Sequence, residues 1–563
     1  MLPLINLNRN LRSLNRYREI LGVLVSHGFG HVLDELNLDY YIELGRRLVK
    51  RDPRKQELEK LPPQVRLRMA LEELGPTFIK LGQILSARPD ILPASYITEL
   101  NKLQNDVSPV DIASIETLIH NELGAPVATV FGHFSRHPVA AASIAQVHHA
   151  NLLDGTPVAV KVRRPDIERL IETDLDILES LSTLLENHTD SEQLFSPREI
   201  IREFRRTIYR ELDFTKEGHT LERFRDNFSD NPAASVPQVH WQLTTDAVLT
   251  MSYIDGIKIS DTASLKKAGH DLKQLAHTGA NAFLDQVLRY GLFHADPHPG
   301  NIFVLPDSTL CFIDLGMVGH VDDVLRQQLV SLLLGIFKRD TDLLVSVMLS
   351  ERDRSKEINI SRLKRDLSEF IDDYYQVPLE HINFFKLITE FIDLMRRHHI
   401  KFPADLMLLA KAMVTIEGIG RQLDPGFNLI EHIKPTAAEL MQNRFSASHI
   451  SKETSQVVRS YLDIIKTLPQ ELKELLLRFN SNNFKIDLEH RGLEKLITDL
   501  DKASNRLSFS FIIGSLIIGS SLIIQTDSGP HLFGFPALGL LGYGFAAALG
   551  LWLALGILRS GRL

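Results

Sequence analysis

The stretch Gly291-Leu-Phe-His-Ala-Asp-Pro-His-Pro-Gly-Asn-Ile-Phe-Val304, followed by Phe312-Ile-Asp-Leu-Gly316, decides how the rest of the chain is read. Asp296 and Asn301 lie on either side of a tight Pro/Gly loop. A carboxylate able to accept a hydroxyl proton, followed by an amide oxygen able to ligate a metal, is the catalytic-loop pattern of phosphoryl transferases. Asn301-Ile-Phe-Val-Leu305, a turn at Pro306-Asp307 and Thr309-Leu-Cys-Phe-Ile313 predict a hairpin that returns Asp314 towards Asn301. Two hard oxygen ligands so placed suit Mg²⁺ carried on substrate phosphates. Asn301 and Asp314 are therefore the expected metal ligands, and Asp296 the expected base. A surface turn with stray acids is the competing reading, but both carboxylates end apolar, strand-like runs and each is followed by turn residues.

The 563 residues suffice for two or three structural units around at least one large core. A formal net charge of -8, with no basic block interleaved with aromatics, gives no reason to expect a nucleic-acid partner. The single cysteine, Cys311, cannot form an intrachain disulfide and is expected as a small core residue in the strand leading to Asp314. Arg9, Arg12, Arg16 and Arg18 precede the first acid, Glu19, as they would in a transit peptide. Ile20-Leu21, Leu24-Val25, Phe29 and Val32-Leu33 instead recur at helical spacing and run on into Leu36, so the arginines read as the polar face of an amphipathic helix.

From Tyr40 to Leu74 the pattern stays helical, broken at Asp52-Pro53 and Pro62-Pro63, and it stops at Gly75-Pro76, where Pro76 suits a helix start. On the helix that follows, Phe78, Leu81 and Leu85 share one face, Lys80 and Gln83 project from another, and Gly82 admits a close neighbour. Spacing alone reads Lys80 as a solvated helix residue. Strands are expected at Thr129-Val-Phe131, from Val139 to His148, and over Ala150-Asn-Leu-Leu153, with a hairpin turn at Asp154-Gly155. Pro157-Val-Ala-Val-Lys161-Val162 is the small-apolar strand ending in lysine by which kinases hold the α/β-phosphates. Where a protein kinase carries a Gly-rich phosphate loop, this chain has Ala140, Ala141, Ala142 and Ser143. Alanine cannot reach φ > 0 cheaply, so a stiffer loop with a narrower set of nucleotide poses is expected. Core packing of a plain β-hairpin is the alternative for the alanines and for Lys161 taken alone.

Asp166 to Asn187 predicts one long helix and Pro197 to Phe228 a second. Kinases use a helix-borne glutamate to orient the strand lysine. Glu211, Asp213 and Glu217 compete for that task, with Asp213 and Glu217 on a shared face if the helix is regular. Strands at Pro237 to Trp241 and Ala247 to Met251 come next. Met251-Ser-Tyr-Ile-Asp-Gly256 reads as a hinge offering backbone groups to an adenine, and Leu265 to Tyr290 as a helix delivering the catalytic loop. Beyond Gly319 helical periodicity runs to about Ser504, clearest at Leu329 to Phe337, Phe384 to Met395, Leu406 to Ile419 and Tyr461 to Phe479. His398-His399 and His294/His298 suggest metal ligands, but Pro297 and Pro299 forbid a helix that would join the second pair, so solvated or supporting histidines are expected. Leu507 to Ile524 and Phe535 to Leu558 carry no charge and are each long enough to cross a bilayer. Gly542, Ala546, Gly550 and Ala554 recur on one face of the second span and permit close helix contact, with the first span or with another copy of the protein.

With these residues in view, the chain resembles the UbiB family of atypical kinases, proteins associated with ubiquinone biosynthesis, over nearly its whole length. Lys80-Leu-Gly-Gln83 matches the family's Lys-x-Gly-Gln motif, and Ala140-Ala141-Ala142-Ser143-Ile144-Ala145-Gln146 its alanine-rich loop, with Ala145 where a glycine is common. Glu211-Leu-Asp213 matches its Glu-x-Asp motif, and His294 to Asn301 with Asp314-Leu-Gly316 its catalytic and metal loops. The resemblance implies an α+β, protein-kinase-like, two-lobed fold. Its parts would be an N-terminal helical extension (1–125), an N-lobe (126–256), a C-lobe with helical tail (257–505) and a transmembrane helical hairpin (506–563). It further implies that Lys161 pairs with Glu217, and that the Lys80 motif covers the nucleotide pocket and pairs with the Glu211 motif, which occludes protein substrates. ATP and Mg²⁺ are the implied cofactors, held by Lys80, Gln83, the alanine-rich loop, Lys161, Glu211, Asp213, Asn301 and Asp314, with Asp296, Lys161 and Glu217 in catalysis. Implied partners are prenylated quinone intermediates or enzymes of quinone biosynthesis, the lipid bilayer and a second copy of the chain. The implied location is the bacterial inner membrane with the catalytic domain in the cytoplasm, or the matrix side of the mitochondrial inner membrane. A small-molecule phosphotransferase would share the His-x-Asp-x-x-x-x-Asn loop without needing the Lys80 motif or membrane helices. A protein kinase regulating the biosynthetic enzymes would carry a glycine loop and an activation segment. A non-catalytic scaffold would tolerate loss of Asp296, Asn301 or Asp314, and all three are present.

Overall fold

The computed structural model describes residues 7–30, 60–88, 91–103, 108–188, 196–349, 358–375, 384–398, 400, 404–433, 435, 493–526, 530–533 and 535–559. The helical readings of residues 31–59 and of Tyr461 to Phe479 lie outside the described residues, as does His399. The chain divides into two compact units, residues 1–450 and 451–563.

Five helices precede the first strand: α1 (Leu7–Ser26), α2 (Pro63–Leu74), α3 (Pro76–Ser86), α4 (Ala94–Leu100) and α5 (Ile112–Leu123). Prolines open α2 and α3 at positions where a missing N–H leaves no bond unmade. The first four pack with α6 (Ile167–His188) and α7 (Pro197–Leu212) around Leu71, Phe78, Leu81, Leu100, Ile171 and Phe204, a core separate from the one around Phe283 and Phe312. Buried Asp174 on α6 is satisfied by the Arg16 guanidinium of α1 at 2.7 Å, so one of the N-terminal arginines is structural.

The first sheet is antiparallel, in the order β1 (Phe131–Phe134), β3 (Ala145–Leu152), β4 (Pro157–Arg163), β6 (Val248–Ser252), with β2 (Ala140–Ala141) hairpinned onto β3. Strand alternation splits β4 between two faces. Val158, Val160 and Val162 are buried with Ile115 and Ile119 of α5, which leaves Lys161 on the opposite face, in register between Val147 and Leu249.

Local chemistry corrects three strand expectations. Residues Val127–Val130 form a helical turn after Pro126, with Thr129 Oγ1 donating to the Pro126 carbonyl, so β1 starts only at Phe131. The run from Val139 breaks at Ala142, whose N–H turns to the Ala145 carbonyl at 2.7 Å. Pro237 cannot donate to a ladder, and 237–241 contributes only an isolated Val239–Met251 bridge before a 3₁₀ turn, Trp241–Leu243.

The expected helix from 197 to 228 is two helices, α7 and α8 (Phe214–Asn227), parted at Asp213. After β6, residues 253–256 cross to a second sheet in the order β5 (Ala234–Ser235), β10 (Leu310–Phe312), β9 (Ile302–Val304), β7 (Ile257–Lys258). The helix expected over 265–290 is α9 (Thr262–Lys267), a break at Gly269, α10 (Leu272–Leu284) and a π-helical turn, Asp285–Tyr290. β8 (Leu292–His294) and β11 (Val318–His320) form a separate antiparallel pair.

α11 (Asp323–Lys338), α12 (Thr341–Met348), α13 (Ile360–Tyr375), α14 (Phe384–Arg397) and α15 (Ala404–Leu423) follow. α12, α13 and α14 share a small core of their own around Leu344, Leu363 and Leu394. α15 does not behave as a tail: its Leu409, Ala412 and Ile416 are buried in the same core as Phe283, Phe293 and Phe312.

In the second unit, α16 (Leu493–Thr526) and α17 (Ala537–Arg559) form an antiparallel hairpin. Each contains a stretch long and apolar enough to cross a membrane: Ser504–Thr526 and Ala537–Ala554. Gly542 and Gly539 admit Ser520 and Ile524 at distances no added Cβ would tolerate, whereas Gly514, Gly519 and Gly550 meet nothing within 4 Å. Close approach therefore uses only part of the small-residue face.

Candidate functional site

Gly291 sets the loop that carries Asp296. It closes the π-helical turn at φ +67°, and a Cβ there would stand 2.7 Å from the Val321 carbonyl. The chain then enters β8, and after Ala295 donates to the Met317 carbonyl (3.0 Å) the ladder ends, which frees Asp296 for the cavity. His298 donates its N–H to the Asp296 carbonyl (2.7 Å), and Asn301 donates to that of His298 (2.9 Å). His298 Nδ1 accepts from the Gly300 N–H at 3.1 Å, so this histidine fastens the loop. His294 is buried beneath it, and burial holds its imidazole below the usual range. The β9–β10 hairpin ends with the Ile313 N–H on the Asn301 carbonyl at 2.9 Å, which sets Asp314 beside Asn301. Asp314 has φ +56°, a left-handed backbone that aspartate tolerates better than most residues.

Three lysine–carboxylate pairs meet in one cavity of about 930 Å³. Lys161 Nζ lies 2.8 Å from Glu217 Oε1 and 2.9 Å from Asp314 Oδ1. Lys80 Nζ lies 2.8 Å from Glu211 Oε2. Lys411 Nζ, from α15, lies 3.2 Å from Asp296 Oδ1. The Lys161 ammonium holds the Asp314 carboxyl well below the usual range against the opposing effect of burial, with Lys80 helping. Burial opposes the charges on Lys161 and Lys80, but Asp314 and Glu217 beside the first and Glu211 beside the second outweigh it and raise both. Burial lifts Glu217 against the pull of Lys161. Asp296 is also pushed up by burial, yet Lys411, His298 and His294 hold it below the usual carboxylate range.

The break between α7 and α8 decides which acid meets which lysine. Asp213 caps α8, its Oδ1 accepting from the Thr215 N–H (3.1 Å) and hydroxyl (2.6 Å). Glu211 at the end of α7 and Glu217 in the first turn of α8 thereby reach different lysines, and Asp213, expected at the cofactor, is turned to capping. The alanine-rich loop meets the cavity at one point. Of its residues only Ile144 lines the cavity. Ala140 and Ala141 pair with β3, while Ser143, Ala145 and Gln146 are buried. The Gln146 amide spends itself on the Val110 N–H (2.9 Å) and His148 (2.8 Å). Arg164 fixes the loop from outside, donating to the Ala142 carbonyl at 2.9 Å and, through its other arm, to that of Ser108. Gln83 does line the cavity, its amide 3.4 Å from the Leu103 carbonyl. Gly82 accommodates Leu103 and Leu71, so its close neighbour is apolar packing.

Asn301 and Asp314 offer the two hard oxygen donors a phosphate-borne Mg²⁺ needs. Among the described residues no group of three His, Cys, Asp or Glu side chains forms a self-sufficient metal cage. The residues missed by spacing alone are Lys411 and Arg164, each of which acts on a segment distant in sequence.

An ABC1 atypical kinase-like domain matches residues 102–348, a UbiB helical domain 367–428, and an ABC1/UbiB kinase-like C-terminal domain 491–559. An uncharacterized protein in the hydrogenase 1 5′ region of Clostridium pasteurianum is 34% identical over 98% of this chain and 100% of its own length. The "Probable protein kinase UbiB" of Marinobacter nauticus is 34% identical over 83% of this chain and 85% of its own. Among solved structures, the Rv3197–erythromycin complex from Mycobacterium tuberculosis aligns with a TM-score of 0.44 at 23% identity, over 61% of this chain and 87% of that one.

Proposed function

Because the chain belongs to the ABC1/UbiB family of atypical kinases, we propose that it is a membrane-anchored, Mg²⁺-dependent ATPase or phosphotransferase that supports ubiquinone biosynthesis by acting on or presenting prenylated intermediates. The observation that carries the reading is the meeting of Lys161, Glu217 and Asp314 within 2.9 Å in a cavity that Asp296 and Asn301 also line.

In this reading Glu217 orients the Lys161 ammonium towards the α- and β-phosphates, and Asp314 yields Lys161 when nucleotide enters. Asn301 and Asp314 would hold Mg²⁺, which when bound neutralises phosphate charge. Asp296 takes the proton of the attacking hydroxyl or water. The Lys80–Glu211 pair ties α3 to the end of α7 and narrows the approach, which favours a small or lipid acceptor over a peptide. The Ser504–Thr526 and Ala537–Ala554 stretches support the membrane anchor.

The test is ATP turnover by the full chain in detergent, with Mg²⁺ and then with excess chelator, and with and without a prenylated phenol. Turnover that needs Mg²⁺, responds to the phenol and is lost in Asp296→Asn while nucleotide binding persists is the expected result. Unchanged turnover in a folded Asp296→Asn protein would refute the assignment.

A further inference from the structure

The cation in contact with Asp296 comes from α15, outside the segment that matches the kinase-like domain. Its positions fall on two faces. Leu409, Ala412 and Ile416 are locked in the core with Phe283 and Phe312, whereas Met407, Ala410, Lys411 and Val414, at i, i+3, i+4 and i+7, line the cavity. The start of α15 is tied to β11 by the His320 N–H donating to Asp405 at 3.4 Å, and β11 pairs with β8, the strand that delivers Asp296. Lys411 is thus held on a rigid helix whose place is referenced to Asp296, as a group acting at a reacting centre must be.

Of the three other lysines that line the cavity, Lys80, Lys161 and Lys258, the first two are committed elsewhere. Lys161 contacts Glu217 and Asp314, and Lys80 contacts Glu211. Only Lys411 stands against the expected base, at 3.2 Å from Asp296 Oδ1. Resting on the reading that this cavity takes ATP, we infer that Lys411 is a catalytic residue that binds the γ-phosphoryl group and exchanges between it and Asp296. Phosphoryl transfer spreads negative charge over the equatorial oxygens, and a cation brought in from another element is a recurring way of neutralising it.

Without nucleotide, Lys411 covers Asp296. With a triphosphate bound, the γ-oxygens take the ammonium and uncover the carboxylate. The acceptor O–H proton then passes to Asp296 as the acceptor O–P bond forms. The bond from Pγ to the bridging oxygen breaks with its electron pair leaving on ADP. Lys411 keeps its protons throughout. Its contribution should therefore be visible in binding as well as turnover.

The decisive measurement is calorimetric binding of MgADP and of the Mg²⁺ complex of a β,γ-imido ATP analogue to the full chain in detergent. Lys411→Met should weaken the triphosphate analogue about tenfold, the value of one charge-assisted hydrogen bond, and leave MgADP within about twofold. Lys411→Gln, which keeps a polar side chain, should do the same and serves if the Met variant does not fold. Turnover in either variant should fall on the order of a hundredfold. Equal losses for both nucleotides, or no loss, in a wild type that binds both would overturn the role of Lys411 and leave the ATP reading standing. A wild type that binds neither nucleotide would overturn the ATP reading and this inference with it.

Discussion

Asp296 is a carboxylate under two opposed influences, and which one wins sets how the site responds to pH. Burial favours its neutral form; Lys411 in contact, then His298 and His294 near by, favour its anion and prevail. Its folded pKa therefore lies below the ordinary value of about 3.9, and the proposed base is ionised across the whole physiological range. Turnover is lost only as pH falls through that depressed value, so no acid limb from Asp296 should appear between about pH 5 and 8. Removing Lys411 takes away the largest stabilising charge from a side chain that is still 38% exposed, so the pKa should rise. The kcat/KM of Lys411→Met should show an acid limb displaced to higher pH, because kcat/KM reports the free enzyme, in which the wild-type Lys411 stands on Asp296. A pH–kcat/KM profile of variant and wild type checks this, and superimposable limbs would mean that Lys411 does not set the charge on Asp296. Lys411 was not legible in the sequence for a physical reason. A lysine on an apolar helix normally reaches solvent, and its partner lies over a hundred residues earlier in the chain. Asn301 and Asp314 were legible because alternating apolar residues around a Pro-Asp turn admit one hairpin, and that hairpin fixes their approach.

Among the elements, the junction of α7 and α8 does most to assemble the site. A continuous helix would put Asp213 and Glu217 on one face and turn Glu211 away. The break at Asp213 (φ -100°, ψ 96°) redirects the chain, so that Glu211 reaches Lys80 and Glu217 reaches Lys161. Spacing could not reveal this, because no proline or glycine marks the break and aspartate is as compatible with an acidic helix face as with a cap. The two roles make different demands on the side chain. A cap needs only a short acceptor, whereas a ligand to metal or phosphate needs the charge. Asp213→Asn should accordingly keep both stability and MgATP affinity, while Asp213→Ala should lose about 1 kcal/mol of stability through the unsatisfied first turn of α8. Thermal unfolding and nucleotide titration of the two variants separate the cases. Loss of MgATP affinity in a stable Asp213→Asn protein would return Asp213 to the site.

At the scale of the whole molecule, the proposed membrane anchor has an orientation that the charge around the terminal hairpin predicts. Ser504–Thr526 alone spans about 34 Å at 1.5 Å per residue, enough for the hydrocarbon core. The hairpin is exposed along both helices, with Phe511, Ile518, Leu541 and Trp552 all on its surface, as a pair of helices solvated by lipid would be. Lys502 and Arg506 precede the uncharged run from Leu507 to Ile524, Arg559 and Arg562 follow that from Phe535 to Leu558, and the connection from Gln525 to Gly534 has Asp527 but no lysine or arginine. Both ends should therefore remain on the positive, cytoplasmic side, where ATP is available, with only the short connection exposed outside. Single cysteines at Ser528 and Ser560, in a Cys311→Ser background, test this with a membrane-impermeant thiol reagent applied to intact cells. The native thiol would interfere little in any case, being buried, with its pKa pushed up to about 11. Labelling at position 528 and not at 560 is the expected outcome. Labelling at 560 in intact cells would reverse the topology. Equal protection of both sites, followed by equal exposure once the membrane is removed, would show that the connection does not cross, and the two apolar helices would then have to be explained as something other than an anchor.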